Sequence, residues 1–305
     1  MFTTAMPSTE YHALLRAKVD ARSDLVCTTH PLNYRAGTWE MLRIASKDVG
    51  PNDKVMVIRA TIHGDEISGA MSILNYFDEL VGYAHQRSLK LVLYPLGNPS
   101  GFDHRLRYNV DHHMGEGNND FLRYVMDDGS IESDLGPGRP STPWTIANDA
   151  ALGIDLPEES RVMLELVQRD PLSQVVAAFD WHQDLVTDLP MCAYHYAFGD
   201  LARYGEIAAR ISEVVPLLAG YDMAGGFGEQ IDDQGSVVPH TDGVAVRSDA
   251  NGFIVRHDGS FSDFYQHIGA THSVATETTG ATPMELACLV NWIWFTGVVD
   301  LLTSA

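Results

Sequence analysis

Apolar residues along this chain follow two rhythms. One is the continuous run of a strand covered on both faces, the other the 3.6-residue spacing of a half-buried helix. The start, from about Thr9 to Val26, is expected to be helical. "TWEMLRIAS" and "KVMVIRATI" read as strands, the second buried. "SGAMSILNYFDELVGYA" follows with apolar positions at helical spacing, and "SLKLVLYPLGN" is a further apolar strand closing in a Gly-Asn-Pro turn. Strand, helix, strand in that order predicts a parallel βαβ unit. Ligand chemistry in such sheets gathers at the C-terminal ends of the strands.

The middle of the chain, from Asp103 to Leu156, is rich in Gly, Asp, Asn, Pro and His and is expected to form long surface loops with short helical turns. "PEESRVMLELVQRDP" is a helix opened by proline and an acidic first turn. "LSQVVAAFDWHQD" is a third apolar strand ending in a histidine, and "DLARYGEIAARISEVVPLLAG" an amphipathic helix. Gly-rich polar sequence from Gly225 to Gly259 predicts a second long loop. "SFSDFYQHIG" then reads as a short helix, "ATHSVATET" as a fourth strand, and "MELACLVNWIWFTGVVDLL" as a buried or half-buried final helix. The last carries Glu285, Asn291 and Asp300, which argues against a membrane span. With no internal repeat and no linker, the 305 residues are expected to form a single catalytic domain.

Charge narrows the partners. There are 41 acidic residues against 20 basic ones, a net charge of −21. A field of that sign repels phosphate backbones and anionic lipid surfaces, so neither nucleic acid nor membrane is expected as a partner. Three cysteines, Cys27, Cys192 and Cys288, are far apart and form no C-x-x-C pair, which fits a reducing compartment. The N-terminal stretch shows no basic region followed by an apolar run, so a cytoplasmic location is expected.

Three strand ends carry candidate chemistry: His63 with Glu66 in "VMVIRATIHGDEISG", His182, and Glu277. Two histidines and a carboxylate are the ligand set of a catalytic zinc that keeps one position open, and Glu277 is the natural base for the water proton. Taken singly these signals are weak. His-x-x-Glu arises by chance, His182 alone reads as a strand-end histidine held by Asp180 or Asp184, and Glu277 alone as a capping carboxylate. The weight lies in the combination.

Around these residues the chain resembles the zinc metallocarboxypeptidases, the carboxypeptidase A family, with its aspartoacylase and succinylglutamate desuccinylase relatives. "IHGDE" resembles the first metal motif, and "GNPSGF", Gly97 to Phe102, the Asn-Pro turn after the next strand. "HRLRYN" stands where the family has its transition-state arginine, and "FDWHQD" where it has the third ligand. "DGSFSDFYQHIGATHSVATETTG" resembles the block leading into the catalytic glutamate. The likeness covers about Val55 to Gly280, with the motifs in order.

It implies a three-layer α/β/α sandwich around a mixed, mostly parallel sheet, and one Zn2+ held by His63, Glu66 and His182. Glu277 would be the general acid–base and Arg107, or less favourably Arg105, the oxyanion-stabilising residue. The implied activity is hydrolysis of a peptide or N-acyl amide bond in a small peptide or N-acyl amino acid. The residues after Glu277 suffice for one helix and not for the C-terminal β-domain of aspartoacylase-type relatives, which favours the peptidase branch.

The recognition residues depart from the family. In "EGNNDFL" Asn118 fits the family asparagine, but Asn119 stands in place of the arginine that grips a terminal carboxylate, and Asp120 follows. Asparagine offers no planar cation. Arg256, or Arg123 under a shifted alignment, is the replacement clamp to consider. Ser262 falls where digestive carboxypeptidases set their side-chain preference. Asp184 is expected near the metal, as an orienting group or a loop residue, and Asp65, Asp180 and Asp184 leave a second metal open. The alternatives are a small-molecule deacylase and a non-catalytic zinc-binding module. A serine hydrolase lacks its G-x-S-x-G elbow, and no P-loop or dinucleotide fingerprint occurs.

Overall fold

The computed structural model describes residues 6–111, 119–135, 143–185, 189–220 and 246–304, and the backbone of 222–223, 230–231 and 237–238. The first helix, α1 (Ser8–Asp20), buries Tyr11, Leu15 and Val19, one stripe at helical spacing. Asp103 takes hydrogen bonds from the Ser8 amide (2.6 Å) and hydroxyl (2.8 Å), an anion at the positive end of a helix. The helix stops six residues short of the expected end at Val26, because Leu25 already pairs in a strand. β1 (Leu25–Tyr34) and β2 (Gly37–Ser46) form an antiparallel hairpin.

β3 (Lys54–Ala60) is buried at every position after Lys54. The helix expected from "SGAMSILNYFDELVGYA" is two, α2 (Ser68–Asn75) and α3 (Phe77–His85), broken at Tyr76. β4 (Leu89–Tyr94) follows, and the Asn-Pro turn opens a short helix, α4 (Pro99–His104). The middle segment is less loop-like than expected. It holds a three-stranded sheet of β5 (Leu122–Val125), β6 (Ile131–Glu132) and β7 (Trp144–Ile146), with Phe121, Leu122 and Tyr124 buried. Next come α5 (Glu158–Val167), β8 (Val175–Trp181), β9 (Ala193–Phe198) and α6 (Leu201–Ser212). The two-residue strands β10 (Asp222–Met223), β11 (Gln230–Ile231), β12 (Val237–Val238) and β13 (Val246–Arg247) pair among themselves. β14 (Phe253–Ile254), α7 (Phe261–His267), β15 (His272–Thr278) and α8 (Met284–Thr303) complete the chain.

Eight strands share one sheet in the order β1-β2-β4-β3-β8-β15-β9-β14. The central four, β4, β3, β8 and β15, are parallel, with β2 and β9 antiparallel beside them. Alternation divides each strand between two cores. On β3, Met56, Ile58 and Ala60 enter the core formed with α1, α2, α3, α6 and α8, while Val55 and Val57 enter the one formed with α5, α7 and the small sheet. This is the expected mixed α/β/α sandwich. By length and mean hydropathy (1.6) α8 is apolar enough to cross a membrane, yet 61% of that window is buried, packed on α2, α6 and the sheet.

Candidate metal centre

The site is built at the C-terminal ends of β3, β8 and β15, three neighbouring strands. After Ala60 the chain turns at Thr61, whose φ of 54° is left-handed. That conformation is unusual for a β-branched residue and costs on the order of 1–3 kcal/mol. Thr61 is held there by its side chain, which donates to the Glu66 carbonyl (3.1 Å) and accepts from the Ala70 amide (3.2 Å). The turn presents His63 and Glu66 to each other, Nδ1 to Oε1 at 2.9 Å.

Two glycines let the backbones close around it. A Cβ on Gly64 would lie 2.1 Å from the carbonyl carbon of Gly101, so the turn carrying His63 and Glu66 rests directly on α4. The Gly64 amide donates to the Arg107 carbonyl at 3.1 Å. A Cβ on Gly69 would lie 2.7 Å from the Trp181 carbonyl, which lets α2 press against the end of β8 next to His182.

Nδ1 of His182 lies 2.8 Å from Glu66 Oε2 and 3.2 Å from Nδ1 of His63. All three residues are buried, and their ligand atoms lie within 4.8 Å of one another. The donor set fits a divalent cation on chemical grounds. Nε2 of His182 is also 2.8 Å from a carboxylate, Asp180. A ring with a carboxylate on each nitrogen is held as imidazolium unless a cation takes the place of one proton. Asp180 and Glu277, against the effect of burial, raise the His182 pKa well above 6.5. Burial also works against Glu66, but His63, Arg107 and His182 outweigh it and hold its carboxyl well below the usual range. His63 is pushed down by burial and by Arg107. In a tetrahedral zinc site with bonds near 2.0–2.1 Å the ligand atoms stand about 3.3 Å apart, only slightly wider than these gaps.

A second cluster among the described residues, His257, Asp263 and His267, meets the same distance condition but needs no cation. Asp263 accepts from His257 Nδ1 (2.9 Å), the Gly259 amide (3.0 Å) and the Tyr124 hydroxyl. His267 Nδ1 donates to the Asp263 carbonyl at 2.9 Å. Burial notwithstanding, the bonds from His257, His267 and Tyr124 bring the Asp263 pKa down to about 2. Every contact there pairs a donor with an acceptor.

On one side of the ligand cluster stands Glu277, with Oε1 3.9 Å from His182 Nδ1 and Oε2 buried without a hydrogen-bond partner among the described residues. Burial raises its pKa well above the usual carboxyl range. His182 pulls it down, and Glu66 adds to the rise. On the other side Arg107 Nη1 donates to Glu66 Oε1 at 2.5 Å. Asn98 positions that segment: its side chain accepts from the Gly101 amide (2.8 Å) at the start of α4 and donates to the Arg107 carbonyl (3.3 Å). Arg105 is exposed at the C-cap of α4, over the Phe102 ring at 5.1 Å, so Arg107 is the arginine brought to the cluster.

The expected recognition residues fall as follows. Asn118 lies outside the described residues. Asn119 Oδ1 accepts from Arg59 and from the Phe261 amide (3.3 Å). Arg123 is ion-paired with Asp120 at 3.0 Å, and Arg256 with Asp134. Ser262 is buried, its hydroxyl 3.2 Å from that of Ser260. Asp184 is buried and accepts from Tyr194 at 2.8 Å rather than from a ligand histidine. Asp180, not Asp184, is the carboxylate on His182. Sequence reasoning missed Arg59, although an arginine inside the apolar run "VMVIRA" was the signal for it.

Comparison with known proteins bears on the fold. No protein-family model and no curated protein sequence matches the chain. Solved structures do. A candidate metallopeptidase from Shewanella amazonensis matches over 97% of this chain and 94% of its own, with a TM-score of 0.64 and 21% identity. A metallo-carboxypeptidase from Burkholderia cenocepacia matches over 97% and 70%, with 0.57 and 14%. Bovine thrombin-activatable fibrinolysis inhibitor, solved with tick carboxypeptidase inhibitor, matches over 99% and 98%, with 0.56 and 10%. These likenesses show that the chain shares its fold with solved metallopeptidases and metallo-carboxypeptidases.

Proposed function

We propose that this protein is a zinc-dependent hydrolase of peptide or N-acyl amide bonds, with His63, Glu66 and His182 as the metal ligands. One observation supports it above the rest: a buried His–Glu–His cluster whose donor atoms fit a divalent cation, flanked by the carboxyl of Glu277 and the guanidinium of Arg107. A bound zinc ion supplies Lewis-acid polarisation of the scissile carbonyl and a lowered pKa for water. Glu277 takes the water proton and returns it to the leaving amine. Its unpartnered Oε2 and raised pKa suit a group that must both accept and donate a proton. Arg107 places a fixed positive charge beside the developing oxyanion, an effect worth roughly 3–4 kcal/mol in comparable sites.

The substrate is a small peptide or an N-acyl amino acid, met in the cytoplasm, and the strongly negative charge disfavours nucleic acid and anionic membranes. A leaving group without a free carboxylate is favoured by the recognition residues. Asn119 carries no charge, and Arg123 and Arg256 are both committed to aspartates. The test is hydrolysis by zinc-loaded protein of N-acyl dipeptides with a free or an amidated C-terminus. Cleavage is expected to include the amidated members and to vanish in Glu277→Gln while zinc content stays. Retained activity in Glu277→Gln refutes the role of that residue. Cleavage of free acids alone would make the protein an ordinary carboxypeptidase.

A further inference from the structure

Arg59 has zero exposure in the run of β3, a costly position for a guanidinium unless its charge is matched. Register places it opposite Asp180 on β8, so the two share a face of the sheet. Its Nε donates to Asp180 Oδ1 at 2.8 Å and its Nη2 to Oδ2, a two-point fork. The same Oδ2 lies 2.8 Å from Nε2 of His182. Nη2 also donates to Asn119 Oδ1. The guanidinium carbon lies 5.0 Å from the ring centre of Phe121 and 4.5 Å from that of Phe261, at the start of α7. One buried side chain thus joins β3, the carboxylate behind a ligand histidine, the segment after Asn119, and α7.

We propose that Arg59 is a positioning residue of the metal centre, whose fork fixes Asp180 on Nε2 of His182 and so leaves Nδ1 of that ring as the ligand atom. The proposal rests on reading His63, Glu66 and His182 as metal ligands. A carboxylate gripped at two points cannot rotate, and a carboxylate fixed on one ring nitrogen sets both the tautomer and the ring angle. Without the fork Asp180 is free to turn, and a proton on Nδ1 would then occupy the ligand position facing Glu66. A purely structural ion pair would stabilise the sheet and leave the ring indifferent.

The experiment uses the full chain. Zinc affinity is measured by competition with a chromophoric chelator, and the visible spectrum of the cobalt-substituted protein is recorded, for wild type, Arg59→Lys and Arg43→Gln. Lysine keeps the charge and loses the fork. Arg43→Gln breaks another ion pair, between the half-buried Arg43 and the buried Asp170. Arg59→Lys is expected to bind zinc ~10–100-fold more weakly with an altered cobalt spectrum, whereas Arg43→Gln loses thermal stability alone. Native affinity and spectrum in folded Arg59→Lys, or an equal loss of affinity in Arg43→Gln, overturns the proposal. Nitrogen NMR of zinc-loaded wild type needs no variant to fold: His182 should carry its proton on Nε2, and a proton on Nδ1 overturns the proposal as well. Wild type that binds no divalent ion would remove the metal-centre reading and this inference with it.

Discussion

Acid should destabilise this protein through buried histidines remote from the ligand cluster, and His195 allows the effect to be isolated. It lies on β9 with zero exposure, its Nδ1 accepting from Trp294 Nε1 at 3.1 Å. Burial lowers its pKa from 6.5 to about 3. Burial likewise lowers His12 and His272 to about 4. The sign follows from linkage. Below pH 6.5 the unfolded chain takes up a proton at each of these positions, and the folded chain does not until pH 4 or 3. Stability is therefore fully present above pH 6.5 and falls as pH is lowered towards those values. Each group contributes a slope of about 1.4 kcal/mol per pH unit below pH 6.5, so the three together lose about 6 kcal/mol between pH 7 and pH 5. That is a large share of the ~5–15 kcal/mol that stabilises a typical domain. His182 and His267 have raised pKa values and contribute with the opposite sign. The comparison must therefore be between proteins that differ at one position. His195→Gln keeps an acceptor for Trp294 and removes the titration. Urea unfolding followed by fluorescence at pH 7, 6 and 5, with chelator present, gives the free energy at each pH. The variant should lose about 2 kcal/mol less than wild type between pH 7 and 5. Parallel curves for the two proteins would refute a neutral buried His195.

Two further outcomes follow from the site. Gly64→Ala forces the turn carrying His63 and Glu66 off Gly101, adding ~1–3 kcal/mol of overpacking and the loss of one backbone bond of ~1 kcal/mol. At roughly 2.1 cal/mol/K of unfolding entropy per residue this lowers Tm by about 3–6 °C in a thermal melt, and an unchanged Tm would contradict the close contact. Removing metal with chelator should lower stability by ~4 kcal/mol relative to zinc at a thousandfold excess over Kd. Calorimetry with and without chelator measures this, and coincident melts would argue that no ion is bound.

Much of this arrangement is written locally. The apolar runs "VMVIRA", "LKLVLY", "VVAAFDW" and "HSVATET" are continuous because parallel strands are covered on both faces, so their order is legible without coordinates. So are the proposed ligands, since His182 stands directly past such a run and His63 and Glu66 lie in the turn that follows another. The glycines of "IHGDE" and "GNPSGF" are local signals too, although the reason for them, one backbone lying on the other, is not. Other elements were hidden. β1 mixes threonine, histidine and proline, and β9 reads "AYHYAF"; neither shows a clean period, and both are strands because a neighbouring strand pairs with them. The small sheet in the loop-like middle forms for the same reason.

The sequence by itself determined which residues are offered for chemistry and in what order along the chain. Tertiary structure decided how they are used: that Arg107 and not Arg105 meets Glu66, that Asp180 and not Asp184 holds His182, and that Arg59 is bound to Asp180 behind it. Strand and helix follow from side-chain spacing over a few residues. A hydrogen bond between residues 121 positions apart depends on register between strands, which no local pattern encodes.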